Sequence, residues 1–314
     1  MAKTQNSRRP DLETLPLAGT EGYIADRIFP VFHVGQKAGK MNYQTLVAKT
    51  AATGNRAAGT ALATTYLAKA SADWAVAKKE ARYGVPFDEV ENYGGIEAAD
   101  EAGGEGAKLS VMDAIEADAV SVVFSGTGTA VTAGGFVAAV KAAKNKIKRY
   151  VGKTVLVLSQ TAYDAICEDE SVQDRVALFT SVTPADNEQI LALKKTILCM
   201  ALEIDDILVG DDEFWGGDNS SKVALVKVAP VDVNSHIRKA VFAKQLAYYP
   251  ADGSRFEIVS FPDDNDKANK YDATAYYKLQ VFNTGAVALM TLSAPSEPSE
   301  QPEQSEQSEQ SDQE

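Results

Sequence analysis

The chain has 314 residues, 45% of them hydrophobic, which is enough to bury the core of one large domain or of two ordinary ones. Its 44 acidic side chains against 31 lysines and arginines give a formal net charge of −13, which argues against a broad nucleic-acid-binding face. The first residues contain no secretory signal, and no apolar run approaches the roughly 18 residues of a membrane span. We therefore expect a soluble protein made in a reducing cytoplasm.

The chain begins with a polar stretch, residues 1–20, that predicts an extended arm rather than a helix or strand. Residues 21–45 follow and are rich in β-forming side chains, although they also contain Pro30. If this segment is extended, Phe29 and Phe32 point to opposite sides of it. Both sides are partly apolar, so the segment needs partners on both sides. The β-forming residues are Tyr23, Ile24, Ile28, Phe29, Val31, Phe32 and Val34.

Residues 46–80 are rich in Ala, Thr, Gly and Lys and offer little bulk for a core. We predict a long excursion with strand character at its flanks, which in a compact domain marks a functional segment. Residues 81–95 contain Gly84 and Pro86, both of which oppose a helix, and are predicted to be rich in turns.

A helix is predicted from about residue 108 to residue 124, because apolar side chains recur at helical spacing. The stripe consists of Met112, Ile115, Ala119 and Val122. Asp113 and Glu116 lie off the stripe and are therefore expected on the outer face. On this basis Ile115→Asp should prevent folding, whereas Glu116→Lys should be tolerated.

Beyond a glycine-rich hinge at 126–135, strands and helices alternate up to residue 230 and predict a mixed α/β domain. Residues 237–292 are rich in β-formers with turn sequences between them, which predicts antiparallel pairing. The final stretch, "APSEPSEQPEQSEQSEQSDQE", is of low complexity and carries seven acidic residues, so that the rest of the chain has a net charge of −6. We predict that this tail is disordered and dispensable for folding.

The sequence offers no catalytic, cofactor-binding or metal-binding site, and it predicts a protein that is not an enzyme. His33 and His236 each stand alone among strand-like residues and are interpreted as packing or surface histidines. Two cysteines make no disulfide framework and are interpreted as buried free thiols. The "VGKT" at 151–154 lacks the preceding glycine and strand of a phosphate-binding loop. The acidic runs 211–213 and 263–266 lack the pattern of a calcium loop.

Several stretches, taken in order, resemble a major capsid protein of a tailed bacteriophage with the Hong Kong 97-type fold. "GYIADRIFPVFHVGQKAGKM" is similar to the N-terminal arm and the start of the extended loop, and "KKEARYGVPFDE" to the segment leaving that loop. "AKLSVMDAIEADAVSVV" stands where the spine helix belongs. "TVLVLSQTAYDAICEDESVQDRV", "MALEIDDILVGDDEFW" and "KVALVKVAP" follow the order of the axial domain, and "YDATAYYKLQVFNTGAVALMTL" resembles the closing strands of the peripheral domain.

The resemblance implies an α+β fold with six regions. These are an N-terminal arm at 1–45, an extended β-loop at 46–80, a peripheral domain with the spine helix at 81–128, a mixed α/β axial domain at 129–235, the closing strands of the peripheral domain at 236–293, and the disordered acidic tail at 294–314.

The implied function is self-assembly into an icosahedral head shell that encloses double-stranded DNA without sequence-specific binding. The implied partners are further copies in hexamers and pentamers, a portal protein, a separate scaffolding protein and decoration proteins, with the virion as the location and the host cytoplasm as the place of assembly. Unpaired β-rich edges in the opening segment then find their partners on neighbouring subunits. The predicted intersubunit contacts are Tyr23, Ile24, Phe29, Val31 and Phe32.

Two other classes stay open at this point. An encapsulin-type bacterial compartment shares the fold and would enclose protein cargo. A ligand-binding or adhesion module would explain the β-rich end of the chain but neither the loop nor the helix. No cofactor is expected in any of these cases.

Overall fold

The computed structural model describes residues 7–17, 20, 22–46, 68–177, 187–249 and 253–292. The predicted acidic tail and the middle of the predicted extended loop, residues 47–67, lie outside the described residues. Within them, no helix is long and apolar enough to cross a membrane.

Helices and short strands alternate along the chain. The helices are α1 Pro10–Glu13, α2 Ala25–Ile28, α3 Ile96–Val123, α4 Phe136–Ile147, α5 Gln160–Glu168, α6 Glu170–Ala177, α7 Asn187–Leu202, α8 Gly216–Asn219 and α9 Ser235–Arg238. The strands are β1 Ser7–Arg8, β2 Val31–His33, β3 Ala38–Gln44, β4 Lys69–Ala75, β5 Ala77–Pro86, β6 Thr129–Val131, β7 Lys153–Ser159, β8 Asp206–Gly210, β9 Lys222–Val228, β10 Ala243–Tyr248, β11 Glu257–Asp263, β12 Ala268–Val281 and β13 Val287–Leu292.

The first sheet is organised around β12, which is 14 residues long. Its strand order is β1-β11-β12-β10-β2, and β5 also pairs with β12. All of these pairs are antiparallel except that of β2 with β10. Strand β5 extends from Ala77 to Pro86, so the prediction of a turn-rich segment from residue 81 is wrong for its first six residues. Gly84 pairs with Lys270 within the continuous ladder between β5 and β12, and this ladder holds β5 as a strand despite the glycine.

The second sheet has the order β6-β13-β9-β7-β8. Strand β7 is buried along almost its whole length, as expected for its continuous apolar sequence. The sheet also contains β13, which pairs with β9 and β6. The predicted grouping of 236–293 in one domain is therefore wrong at its end. The physical reason is that β13 is apolar on both faces. Ala288 and Met290 enter the core that α4 covers, which we call the second core, while Leu289 packs against the core that contains α3, which we call the first core.

The long helix α3 packs on the first sheet and begins at Ile96, well before the predicted start. The sequence signal failed there because Gly103, Gly104 and Gly106 lower helix propensity and offer no apolar stripe. In the structure these glycines allow close packing. A Cβ at Gly103 would lie 2.3 Å from the ring of Tyr271, and one at Gly106 would lie 2.7 Å from the ring of Tyr83.

Further along α3, the predicted stripe lies in the first core. Met112, Ile115 and Ala119 are buried, and Val122 is partly buried against the same cluster. The second core, between α4 and the second sheet, contains four side chains of α4 at the helical spacing that the sequence displays: Phe136, Val140, Ala143 and Ile147. Periodicity therefore located the buried faces of both helices.

We predict that Gly103→Ala destabilises the protein by about 1–3 kcal/mol, because the new methyl group collides with the buried ring of Tyr271. The matched control is Gly104→Ala in the same turn, where the nearest atoms are Cδ1 and Cβ of Leu12 at 3.1 and 3.2 Å. These contacts are relieved by a much smaller shift than the one Tyr271 would need, and the gain in helix propensity of about 1 kcal/mol offsets them. Urea unfolding of both variants provides the measurement; equal stabilities would contradict the close approach of helix and sheet.

Candidate functional site

The opening segment packs on its own chain rather than projecting toward a neighbour. Ile24 and Phe29 are 1% and 0% exposed, and the ring of Phe29 lies 5.6 Å from that of Phe242. Strand β2 follows and pairs with β10 of the same chain. The predicted intersubunit roles of Ile24 and Phe29 are therefore wrong, as is the prediction that the partners of β2 lie on other chains.

The segment folds back because residues 25–28 form the short helix α2 instead of a continuous strand. This turn directs Ile24, Ile28 and Phe29 into one core, whereas the predicted strand would have separated them onto two sides. Tyr23, Val31 and Phe32 remain partly exposed, so their predicted contact with neighbouring subunits stays a prediction. Tyr23 meets Phe214 edge to face at 5.3 Å between ring centroids.

A buried carboxylate on α3 fixes the start of α2. Oε1 and Oε2 of Glu116 accept hydrogen bonds from the backbone N–H groups of Ile24 and Ala25, both at 2.8 Å. The Glu116 side chain is fully buried, and this burial raises the pKa of its carboxyl group although the two hydrogen bonds act in the opposite direction. The expectation that Glu116 lies on the outer face is therefore wrong.

A buried ammonium two turns earlier on α3 fixes the residues before this segment. Nζ of Lys108 donates to the carbonyl oxygens of Leu12 and Leu15, at 2.9 and 2.8 Å. Burial lowers the pKa of Lys108. Glu13 of the same stretch accepts two hydrogen bonds from the guanidinium of Arg8 and one from the backbone N–H of Ile258. The described part of the arm is thus tied both to α3 and to β11.

The hairpin β3–β4 has an unused edge on each of its two strands. Within the described residues its two strands pair with each other and with no further strand. Every side chain in them is exposed or half-buried, and Trp74 lies over Gly39, where a Cβ would be 3.1 Å from its ring. Met41 and Tyr43 rest on a small cluster that contains Phe282. Both outer edges of the hairpin carry backbone groups that another strand could pair with.

Beside the hairpin lies an exposed apolar loop, residues 229–238, whose helix α9 packs against β3. Val231, Val233 and Ile237 are 83%, 60% and 41% exposed. The loop is held from below by the buried Lys244, whose Nζ donates to the carbonyl oxygens of Asp232 and Val233, at 2.6 and 3.1 Å. We call the hairpin and this loop together the hairpin surface.

His236 packs beneath the hairpin surface. Its ring stacks on Phe282 at 5.2 Å and meets Phe32 edge to face at 5.3 Å. Nδ1 is buried and has no hydrogen-bond partner among the described residues. Burial, followed by the nearby charge of Lys244, lowers the pKa of this histidine, against the opposing influence of Asp232. His236 therefore serves as an aromatic packing residue in its neutral form.

The acidic runs noted in the sequence have structural partners among the described residues. Among the described residues no three His, Cys, Asp or Glu side chains come together as a group able to hold a metal ion. Asp211 instead accepts a hydrogen bond from the backbone N–H of Glu213 in the turn after β8. Asp212 accepts one from the hydroxyl of Thr161 on α5, and Asp263 pairs with Lys270. Cys167 and Cys199 are half-buried and are not joined in a disulfide, and burial raises the pKa of the Cys199 thiol, which lowers its nucleophilicity.

Sequence reasoning missed the buried polar residues Lys108, Glu116 and Lys244. Each bonds to backbone groups that are distant along the chain, so its own neighbours in sequence carry no trace of the partner. The one available signal is a charge within an apolar run, as in "AVFAKQLAY" around Lys244, and that signal is also typical of an exposed edge.

The fold is similar to that of proteins from phages. A phage-related protein from Bordetella bronchiseptica RB50 matches 91% of this chain over 97% of its own length, with 15% identity and a TM-score of 0.61. A chain of Microbacterium phage Oxtober96 matches 89% over 94% of its own length, with 8% identity and a TM-score of 0.55. The capsid structure of the cyanophage P-SCSP1u matches 90% over 91%, with 8% identity and a TM-score of 0.53.

These likenesses establish the class of fold. The chain has the mixed α/β fold of a phage capsid protein, and the resemblance drawn from the sequence is confirmed at that level. No protein-family model and no curated protein matches the sequence. The likeness is therefore visible in the arrangement of the elements and only faintly in residue identities.

We predict that Glu116→Lys destabilises the protein by about 3–5 kcal/mol or prevents folding, because it buries an ammonium against two N–H donors. Glu116→Gln should cost about 1–3 kcal/mol, since an amide supplies one acceptor and turns its NH2 toward the second donor. Glu101→Lys, at an exposed position of α3, is the control and should stay within about 0.5 kcal/mol. Free energies of unfolding from urea titration provide the measurement. A Glu116→Lys variant as stable as wild type would contradict the burial of Glu116 and support the exposed position expected from the sequence.

A second prediction concerns pH. Because the pKa of His236 is lowered from 6.5, the unfolded chain binds more protons than the folded chain just below that value. Stability should therefore fall as the pH falls through this window, and His236→Phe should remove that part of the loss. His33→Phe, at an exposed position, is the control. Urea titrations at a series of pH values provide the measurement, and identical pH profiles for wild type and His236→Phe would refute the assignment.

Proposed function

We propose that this protein is the major capsid protein of a tailed bacteriophage and that it assembles with copies of itself into the head shell that encloses the DNA genome. The fold supports this because the likeness to the cyanophage capsid structure spans 90% of this chain. Its work is structural rather than enzymatic.

The observation that carries the proposal is the hairpin surface. Isolated two-stranded hairpins are marginally stable in water, and unpaired edges are liable to join other chains. Next to those edges, Val231 and Val233 expose apolar side chains that a monomer gains nothing from exposing. In a closed symmetric shell every copy can cover this surface with the same region of a neighbour, so repetition removes the exposed edges.

The regions of a Hong Kong 97-type subunit fit onto this architecture as a proposal. The hairpin β3–β4 takes the place of the extended loop, α3 that of the spine helix, the first sheet that of the peripheral domain, and the second sheet that of the axial domain. Strand β13 then returns from the peripheral to the axial domain.

We extend the proposal to the partners. Besides further copies in hexamers and pentamers, these are a portal protein, a scaffolding protein and decoration proteins, and the shell is located in the virion after assembly in the host cytoplasm. The acidic character of the chain suits a container for DNA, since a wall without many phosphate contacts does not hold the polymer in place.

Assembly tests this function. We predict that Val231→Glu combined with Val233→Glu leaves a folded subunit, because both side chains are exposed, yet prevents shells from forming. Ser110→Glu, which adds charge at an exposed polar position of α3, is the control. Circular dichroism monitors folding, and light scattering with electron microscopy monitors particles. Wild-type protein that stays monomeric with its natural partners would contradict the proposal, and particles filled with protein instead of DNA would favour a bacterial compartment.

A further inference from the structure

The outer face of α4 is strongly basic in an otherwise acidic protein. Its inner face is buried in the second core, while Lys141, Lys146 and Lys148 are exposed. Between Phe136 and Lys153 the chain has no acidic residue. We call the outer side of this segment the basic face. Its members are Lys141, Lys146, Lys148, Arg149 and Lys153, whereas the half-buried Lys144 is paired with Glu203 at 2.8 Å.

The chain leaves the described structure close to this helix. Strand β13 ends at Leu292, which lines a cavity of about 410 Å³ together with Gly134 and Phe136 at the start of α4. The same cavity is lined by the carboxylate residues Glu168, Asp169 and Glu170. The residues after Leu292 therefore begin beside the end of α4 that is remote from most of the lysines.

The following residues carry the opposite charge to the basic face. From Ser293 to Glu314 there is no lysine or arginine, and an acidic residue recurs every third position from Glu297 to Asp312. Acidic groups beside Leu292 repel such a segment, whereas the basic face attracts it. Blocks of like charge of this kind are typical of interaction tails.

We propose that the acidic tail, residues 294–314, binds the basic face of α4 in its own chain and shields it from external polyanions. The length fits. Helix α4 has 12 residues and spans about 18 Å, and the eight residues from Leu292 to Glu300 span up to roughly 26 Å when extended. The second acidic residue of the tail and those after it can therefore reach the far end of the helix, where Lys146 and Lys148 lie.

Several properties of this contact follow from its charges. Exposed ion pairs contribute little each and are screened by salt, so the tail contributes little to folding stability. Its effect lies in competition: a tethered polyanion occupies the basic face ahead of nucleic acid that approaches from solution. The inference concerns the single subunit and does not depend on the proposed assembly.

Carbodiimide cross-linking of the full chain, followed by mass spectrometry, tests the contact. At about 0.01 M salt, where the Debye length is about 30 Å, we expect links from tail carboxylates to Lys141, Lys146, Lys148 or Lys153. These links should disappear at about 1 M salt. Mixing isotopically heavy and light chains shows whether the links lie within one chain. Links between copies, links spread over unrelated lysines, or no tail links at low salt would each overturn the proposal.

Binding of a short fluorescent DNA duplex tests the shielding. We expect a full-length variant with a neutral tail to bind this duplex about tenfold more tightly than wild type at low salt. Adding Lys141→Gln and Lys148→Gln should reverse the gain, whereas adding Lys78→Gln and Lys79→Gln on β5 should not. Unchanged DNA affinity in the neutral-tail variant would refute shielding. Its substitutions are Glu297→Gln, Glu300→Gln, Glu303→Gln, Glu306→Gln, Glu309→Gln, Asp312→Asn and Glu314→Gln.

Discussion

Helix α3 holds the start of the chain through two buried ionic side chains, and the first core is closed by that contact. Lys108 binds the carbonyl oxygens of Leu12 and Leu15, and Glu116 binds the N–H groups of Ile24 and Ala25. Burying a charge is costly unless it is hydrogen-bonded, so each side chain requires its backbone partner in place. Helix, arm and sheet are thereby obliged to form together.

This constraint decides which parts of the molecule are free for other subunits. The start of α2 and strand β2 are hydrogen-bonded within their own chain, and Phe29 is fully enclosed. The hairpin β3–β4, by contrast, has an unpaired edge on each strand within the described residues, and the exposed Val231 and Val233 lie beside it. An opening segment that is already ordered within its own chain suits the proposed assembly, because less of the ordering cost remains to be met when subunits join.

Positive and negative charges are concentrated in different parts of the chain. Helix α4 exposes a basic face although the protein as a whole has a net charge of −13, and the acidic residues from Glu297 onward follow β13 in the sequence. A net charge calculated for the whole sequence conceals this separation. In the proposed contact, the tail decides whether the basic face is open to a nucleic acid.

The sequence by itself determined the elements with strong periodicity: the buried stripe of α3 from Met112, the inner face of α4, the apolar strand β7, and an order of elements that resembles a phage capsid protein. These signals are local, since each comes from residues a few positions apart. Only the tertiary structure decided the burial of Glu116 and Lys108, the early start of α3 across three glycines, and the return of β13 to the second sheet. Each of these depends on atoms far apart in the chain, such as the ring of Tyr271 that requires a glycine at 103, and local patterns do not encode such distances.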